Sequence, residues 1–252
     1  MRFFSVGNVL PFLFFSIFNT ELLAGDIAHI VDSKELEVCA HPEMPPFSLK
    51  GNQPKGFQID ISNALADQLD VSTSIAWIIS KRHAKKTTCD LYAGVVKKVA
   101  ERSKYMRVTE PFYHMEYFIV SNPSDSAIST LEDLTNRTVA VSSGSVASHA
   151  LRQHSIGIAT RFVDEQSRLE ALVLGEVDAA VVSNLSASWF QKRKGIKLAT
   201  VDAENVLNVE LNHGYALGLR RADELTLQRF NALIVSMKKD GTLDKLLAKY
   251  GQ

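Results

Sequence analysis

The chain has 252 residues, enough for one large domain or two smaller ones that each bury a core. Its 28 basic side chains balance 28 acidic ones, so the formal net charge is zero. This composition excludes the general positive charge that nucleic-acid binding requires, and it is typical of an ordinary soluble protein.

The N-terminal segment at residues 1–24 is predicted to be an export signal. Arg2 precedes the apolar run at 9–18, and small residues follow around Ala24. A short apolar segment behind one positive charge is typical of a secretory signal peptide, and Pro11 interrupts it too early for a membrane span. We expect cleavage near Ala24 and an exported, periplasmic mature chain; a retained membrane anchor is the alternative.

The chain contains two cysteines, Cys39 and Cys89. An even pair in an oxidising compartment favours a disulfide, and two buried thiols are the alternative. Two widely separated cysteines do not have the ligand spacing of a zinc site, so we expect no bound metal.

From about residue 35 the chain alternates short apolar strands with amphipathic helices. Strands are predicted at 36–40, 73–79, 89–96 and 117–121. The helix predicted at 57–69 carries one apolar stripe at helical spacing, formed by Phe57, Ile61, Leu65 and Leu69. The polar segment SNPSDS at 121–126 then marks a break in the chain.

The alternation continues after that break. Further strands are predicted at 137–143, 160–163, 178–183, 196–201 and 213–220. Helices are predicted to begin within 144–151 and to occupy 167–177, 186–193, 222–239 and 242–250.

Such alternation predicts mostly parallel sheets covered by helices, in two doubly wound α/β lobes. We expect residues 35–121 and 213–252 in the first lobe and residues 122–212 in the second. Because ligands of open α/β sheets bind at the carboxyl ends of the strands, a ligand cleft is predicted between the lobes.

The order of several sequence blocks is specific. GFQIDI at 56–61 and DGTLDKLLAKYG at 240–251 are the strongest, and LEDLTNRTVAVSSGS and EALVLGEVDAAVVS lie between them. From about residue 35 onward the chain resembles the bacterial extracellular solute-binding proteins of family 3, the type II periplasmic binding proteins of polar amino-acid ABC importers. This resemblance implies a monomer that uses no cofactor and has an ABC permease in the inner membrane as its partner.

The resemblance also implies an arginine clamp for a carboxylate. Family members place this arginine twelve residues after the aspartate that opens the third strand, which selects Arg102 after Asp90. A guanidinium offers two parallel hydrogen bonds to a carboxylate. The alternative is a surface ion pair of Arg102 with Glu101 or Glu110, which would contribute little. Gly94, in the same strand-to-loop segment, belongs to the implied site.

A second anion-binding element is predicted where a strand runs into Gly144 and Ser145. Ser145 can cap the following helix, whose free N–H groups attract an anion, and Gly144 permits close approach to the backbone. The resemblance implies that this turn contacts the same carboxylate as Arg102. An ordinary strand–helix turn is the alternative.

Two aromatic residues complete the predicted site. The resemblance implies that Phe47, in the loop after the first strand, stacks on the ligand. Trp77, near the end of the second strand, can line the same cleft, and burial in the core is an equal alternative.

Two positions depart from the family pattern. Ser183 stands where amino-acid binders have the aspartate that holds the α-ammonium, and a neutral hydroxyl does not supply that counter-charge. Lys97 replaces a threonine and would add positive charge to the pocket. We therefore expect an organic acid to fit as well as an amino acid.

These features predict a non-catalytic protein that binds a small polar or anionic ligand and delivers it to an ABC importer. Cys39 and Cys89, followed by EPFYHMEYFIV, are also similar to binding proteins associated with quinoprotein (PQQ) dehydrogenases, so an accessory role there is the second hypothesis. A dehydratase on the same fold is the third. It would need a general acid, for which Glu110, Asp164 and Glu165 are candidates.

Overall fold

The computed structural model describes residues 26–51 and 55–252. The export signal predicted at residues 1–24 lies outside the described residues. In the part of the chain that is described, none of the helices has both the length and the apolar character to cross a membrane.

Helices and strands alternate along the described chain. Helices α1 to α10 span Ile27–Ser33, Phe57–Leu69, Lys81–Ala84, Lys97–Ala100, Val146–Gln153, Glu165–Val173, Asn184–Lys194, Ala203–Leu207, Glu224–Lys239 and Thr242–Lys249. Strands β1 to β13 span Glu35–Ala40, Glu43–Met44, Ser48–Leu49, Ser72–Trp77, Leu91–Val96, Met106–Val108, Tyr113–Met115, Tyr117–Ser121, Thr138–Ala140, Gly157–Ala159, Ala179–Ser183, Ala199–Asp202 and His213–Arg220.

The first sheet has the strand order β4-β1-β5-β13-β6, and β7 also pairs with β13. Strand β1 runs parallel to both β4 and β5. Strand β13 runs antiparallel to β5, β6 and β7. The sheet therefore joins a parallel half, crossed over by helices, to an antiparallel half.

The second sheet has the order β10-β9-β11-β8-β12. Strands β10, β9 and β11 are parallel, whereas β8 and β12 add an antiparallel edge. The two sheets confirm the predicted two-lobed α/β architecture. Each sheet is mixed, however, where mostly parallel sheets were expected.

The predicted boundary between the lobes at residue 121 is wrong by one strand. Strand β8 pairs with β11 and β12, so it belongs to the second sheet. The chain therefore crosses at Glu116, between β7 and β8, and returns through residues 208–212 before β13. The error arose because an apolar strand does not specify its sheet, and the polar segment at 121–126 is a loop within the second lobe.

The core of the first lobe contains the stripe predicted on α2. Phe57, Ile61, Leu65 and Leu69 are all buried there. Tyr250, which follows α10, is fully buried against Phe57 at a ring-centroid distance of 5.6 Å. Helix α10 and the returning strand β13 thus complete the core that the N-terminal half begins.

The second lobe has apolar clusters on both faces of its sheet. Ile119 and Val181 belong to one cluster, and their neighbours Val120 and Val182 belong to the other. This division follows from the two-residue period of a strand. Helix α7 is shared between the lobes, because its Trp189 packs in the core of the first lobe while other residues pack in the second.

The predicted disulfide is present between Cys39 and Cys89, whose Cα atoms lie 5.6 Å apart. It joins the end of β1 to the segment before β5. Arg220 at the end of β13 donates to the carbonyl oxygens of Thr87 and Cys89 at 3.1 and 3.2 Å. Three segments of the first lobe are therefore tied together beside the disulfide.

Candidate functional site

A cavity of about 210 Å³ lies beside the two crossings between the lobes. Tyr117 begins β8 directly after the first crossing, and His213 begins β13 directly after the second. Their ring centroids are 5.8 Å apart. We call this space the hinge cavity. Its other lining residues are Val141, Ser142, Ser145, Val146, Ala147, Glu165, Arg168, Val181, Glu210 and Leu211.

Helix α6 contributes an ion pair to the hinge cavity. The helix begins where the side chain of Asp164 accepts a hydrogen bond from the Ser167 N–H at 2.7 Å. Glu165 and Arg168 then lie three residues apart on one face, with side chains 15% and 4% exposed. Glu165 Oε1 is 3.5 Å from Arg168 Nη2, and Arg168 Nη1 donates to Ser142 Oγ at 2.7 Å.

The charge of Glu165 acts on its buried neighbours. Burial lowers the pKa of the Arg168 guanidinium, and the carboxylates of Glu165 and Asp164 oppose this shift. Burial raises the pKa of the Tyr117 hydroxyl, and Glu165 raises it further. The same two causes raise the pKa of Tyr215. Both phenols are therefore neutral hydrogen-bonding groups near neutral pH.

Ser183, one of the predicted site residues, is buried behind Glu165. Its Oγ donates to Glu165 Oε2 at 2.6 Å, and its backbone N–H donates to the same oxygen at 3.1 Å. Ser183 also caps α7, because its Oγ accepts a hydrogen bond from the Ser186 N–H. The neutral residue at 183 is thus in direct contact with a carboxylate that comes from a different helix.

The predicted turn at Gly144 and Ser145 adjoins the hinge cavity. Gly144 has φ +69°, a conformation that favours glycine. Ser145 caps α5 as expected, since its Oγ accepts from the Ser148 N–H at 3.1 Å. Val146 and Ala147, the first residues of α5, line the cavity, and the first N–H groups of a helix have no intrahelical partner.

Arg102 lies in the turn that follows α4 in the first lobe, and it is not among the residues that line the hinge cavity. Its side chain is exposed, and within residues 26–51 and 55–252 no hydrogen bond or ion pair of its guanidinium is found. Lys98, four residues earlier, extends from α4 to Glu210, with Nζ–O distances of 2.7 and 2.9 Å. Lys98 is therefore paired with a carboxylate that lines the hinge cavity.

Lys97 does not add free positive charge to the pocket. Its Nζ lies 2.8 Å from Glu110 Oε2 and 3.9 Å from Glu101 Oε1. These two carboxylates engage the ammonium at the surface of the first lobe, so the expected positive contribution of Lys97 is not observed.

A second cavity, of about 290 Å³, lies in the first lobe where β1 and β4 end. We call it the first-lobe cavity. Its lining residues are Cys39, Ala40, His41, Met44, Gln58, Ile78, Ile79, Ser80, Tyr92, Ala93 and Gly94. Gly94 is required there, because an added Cβ would overlap the phenol ring of Tyr215, which accepts a hydrogen bond from Gln58 Nε2 at 2.6 Å.

The two predicted aromatic residues lie around the first-lobe cavity without lining it. Phe47 is half-buried and packs on Tyr215, with ring centroids 6.1 Å apart. Trp77 is the last residue of β4 and directly precedes Ile78 of the cavity wall. Neither residue lines the hinge cavity.

The sequence prediction missed the site roles of Arg168 and the Glu165–Ser183 contact. One signal was available: Glu165 and Arg168 continue the helical stripe of Leu169 and Leu172, which are fully buried. Charged residues on a buried helical face are rare unless they are paired or functional. Sequence alone did not show which element would face them.

Two lobes joined by two crossings, with a charged cavity at the hinge, define the class of two-lobed solute-binding proteins. The family model for bacterial extracellular solute-binding proteins, family 3, matches residues 36–252. The chain belongs to this family. Its function is therefore the binding of a small solute between the lobes.

Individual relatives agree with this assignment. The chain is 29% identical over 213 residues to the L-cystine-binding protein TcyJ of Escherichia coli (strain K12), covering 82% of this chain and 78% of that protein. It is 27% identical over 237 residues to the arginine-binding extracellular protein ArtP of Bacillus subtilis (strain 168), covering 86% of each. The solved structure of an ancestral cationic amino acid solute-binding protein, AncCDT-1, matches with a TM-score of 0.76 at 24% identity, covering 90% of this chain and 99% of that one. This last likeness confirms the fold.

These relatives are binding proteins, and they do not favour the quinoprotein-accessory hypothesis. AncCDT-1 is also described as a precursor of cyclohexadienyl dehydratase, so the fold itself is compatible with an enzyme. In the described part of the chain, no cluster of three or more His, Cys, Asp or Glu side chains could hold a metal ion.

Proposed function

We propose that this chain is a periplasmic binding protein that closes on an amino acid or a related small anion and delivers it to an ABC permease. The hinge cavity is the observation that carries this proposal. A solute there contacts residues that begin β8 and β13, directly after both crossings, as well as the second lobe. Its binding can therefore favour one arrangement of the lobes over another.

Arg102 is our candidate for the carboxylate clamp. Lys98 reaches the cavity-lining Glu210, and residues four apart in a helical turn share a face. The turn continues past α4, because Glu101 has helical φ and ψ angles. We therefore infer that Arg102 points in the same direction as Lys98, toward Glu210 at the hinge cavity, with a guanidinium that no described residue engages.

The turn at Gly144 and Ser145 is the second half of the proposed clamp. The N-terminus of α5 presents N–H groups to the cavity from the second lobe. A carboxylate held between Arg102 and this turn would connect the two lobes and stabilise the closed cleft. We infer that the chain binds its solute without converting it, as its relatives are named for binding.

Thermal-shift measurements test this function. The 20 standard L-amino acids, L-cystine and a series of dicarboxylates are screened on wild type, Arg102→Ala and Lys104→Ala. Lys104 is the matched control, because it is an exposed cation two residues from Arg102. At least one solute is expected to raise the melting temperature of wild type and of Lys104→Ala by mass action.

Removing a charge-assisted bidentate contact should weaken that binding in Arg102→Ala by roughly 10-fold to 100-fold. Equal stabilisation of Arg102→Ala and wild type would show that Arg102 is not the clamp. If no solute stabilises wild type, the proposed function itself is wrong.

A further inference from the structure

Glu165 has an unused hydrogen-bonding capacity that faces the hinge cavity. An ionised carboxylate offers about four acceptor positions. Oε2 accepts two hydrogen bonds from Ser183, whereas Oε1 has only the 3.5 Å contact with Arg168, longer than an ordinary hydrogen bond. Because a carboxylate has no proton to donate, the group that Oε1 can still bind is a donor, most favourably a cation.

The surroundings hold this carboxylate in one place. Ser183 is 1% exposed and contributes both its hydroxyl and its backbone N–H. Arg168 holds Glu165 from the other side and is itself fixed by Ser142. Ser183 and Arg168 are therefore positioning residues, and Glu165 is the side chain left to meet a solute.

The cations beside Glu165 and Glu210 are already engaged. The lining of the hinge cavity includes these two carboxylates and the guanidinium of Arg168. That guanidinium is almost completely buried, and it already contacts Ser142 and Glu165. Lys98 pairs with Glu210 from outside the lining, and a hydrogen bond from Lys98 lowers the pKa of Glu210.

We propose that Glu165 binds the ammonium group of the solute, and that the solute is therefore a zwitterionic amino acid and not a simple organic acid. This inference rests on the proposed function. It also explains how the site works without a charged side chain at position 183. The neutral Ser183 orients the carboxylate of Glu165 on α6. The site therefore has a negative charge although position 183 is not an aspartate.

The test compares each solute with its own analogue. Calorimetric titration is carried out with the amino acid that stabilises wild type most in the thermal-shift screen and with its 2-hydroxy acid analogue, which keeps the carboxylate and lacks the ammonium. The proteins are wild type, Glu165→Gln and Ser183→Ala. Glu170→Gln is the matched control, because Glu170 lies on the same helix but does not line the cavity.

Wild type and Glu170→Gln should bind the amino acid at least about 10-fold more tightly than the analogue, the scale of one hydrogen bond to a charged group. Glu165→Gln should lose roughly 10-fold to 100-fold in affinity for the amino acid and bind the analogue about as wild type does. Ser183→Ala should show a smaller loss in the same direction. Circular dichroism of the unliganded variants separates these effects from misfolding.

Two results would overturn the inference. Wild type that binds the hydroxy acid as tightly as the amino acid would show that no ammonium is recognised, while the solute-binding function would stand. A folded Glu165→Gln variant that keeps the full preference for the amino acid would also overturn the inference, and the solute-binding function would again stand. Wild type that binds neither kind of solute would instead refute the proposed function, and this inference with it.

Discussion

The hinge cavity and the first-lobe cavity differ in what they can recognise. The first-lobe cavity has no Asp, Glu, Lys or Arg among its lining residues, and its polar groups are His41, Gln58, Ser80 and Tyr92 beside apolar side chains. The hinge cavity is smaller, at about 210 Å³ against about 290 Å³, yet its lining includes Arg168, Glu165 and Glu210. Of these two cavities, the hinge cavity is therefore the one suited to recognise a charged group.

The two cavities are also held together by different forces. The first-lobe cavity is bordered by the disulfide through Cys39, and Gly94 makes room for a buried tyrosine beside it. The hinge cavity depends on a buried ion pair and on hydroxyl groups that orient it. The first-lobe cavity is thus determined by shape and the hinge cavity by charge, so each can be perturbed separately.

Removal of the disulfide should have the largest effect on stability. Cys39 and Cys89 are 50 residues apart, and a loop of that length corresponds to about 4 kcal/mol of unfolding free energy in the chain-entropy model. The Cys39→Ser/Cys89→Ser double variant should lose that amount of unfolding free energy and therefore unfold at a lower urea concentration. Wild type treated with reductant is the control and should match the double variant. An unchanged midpoint would show that the first lobe does not depend on its covalent link.

Breaking the buried ion pair should have the next largest effect. Arg168→Gln leaves Glu165 without its charged partner, which is expected to lower the unfolding free energy by about 3 kcal/mol. The matched control is Arg161→Gln, which removes an exposed pair with Glu176, with side chains 58% and 47% exposed, and should change stability by less than about 1 kcal/mol.

Urea denaturation of these two arginine variants measures the difference directly. Equal losses of stability in Arg168→Gln and Arg161→Gln would contradict the view that the hinge cavity is held by a buried charge pair.

A smaller effect should distinguish Gly94, which lines the first-lobe cavity, from Gly144, which lies in the turn beside the hinge cavity. At Gly94 a methyl group would overlap the Tyr215 ring, so Gly94→Ala should lower the unfolding free energy by about 2 kcal/mol. At Gly144 a Cβ would meet no atom within 4 Å, and only the positive φ opposes alanine, which should give a loss of about 1 kcal/mol. The reverse order of these two losses, measured by denaturation, would show that the shape of the first-lobe wall is not critical.

Much of the fold was predictable because local patterns specify it. The stripe from Phe57 to Leu69 has helical spacing, and it forms α2 with its apolar side in the core. Ser145 has the side chain and the position of a helix cap, and it is one. The sheet that contains β8 was not predictable, because pairing partners far apart in sequence determine it.

The site was only partly predictable, for a related reason. Ser183 was identified as a position that had lost its charge, which is true of the residue itself. The sequence did not show that Glu165, on a separate helix 18 residues earlier, would place its carboxylate against the Ser183 hydroxyl. A prediction from sequence position assigns a role to each residue separately. Here a serine and a glutamate from different elements form one part of the site together.

The most direct test of the central claim is a crystal structure of the chain with the amino acid that binds it. The account predicts the ligand in the hinge cavity, with its ammonium nitrogen within hydrogen-bonding distance of Glu165 Oε1 and its carboxylate between Arg102 and the N-terminus of α5. A ligand whose ammonium lies away from Glu165, or one that occupies only the first-lobe cavity, would contradict it.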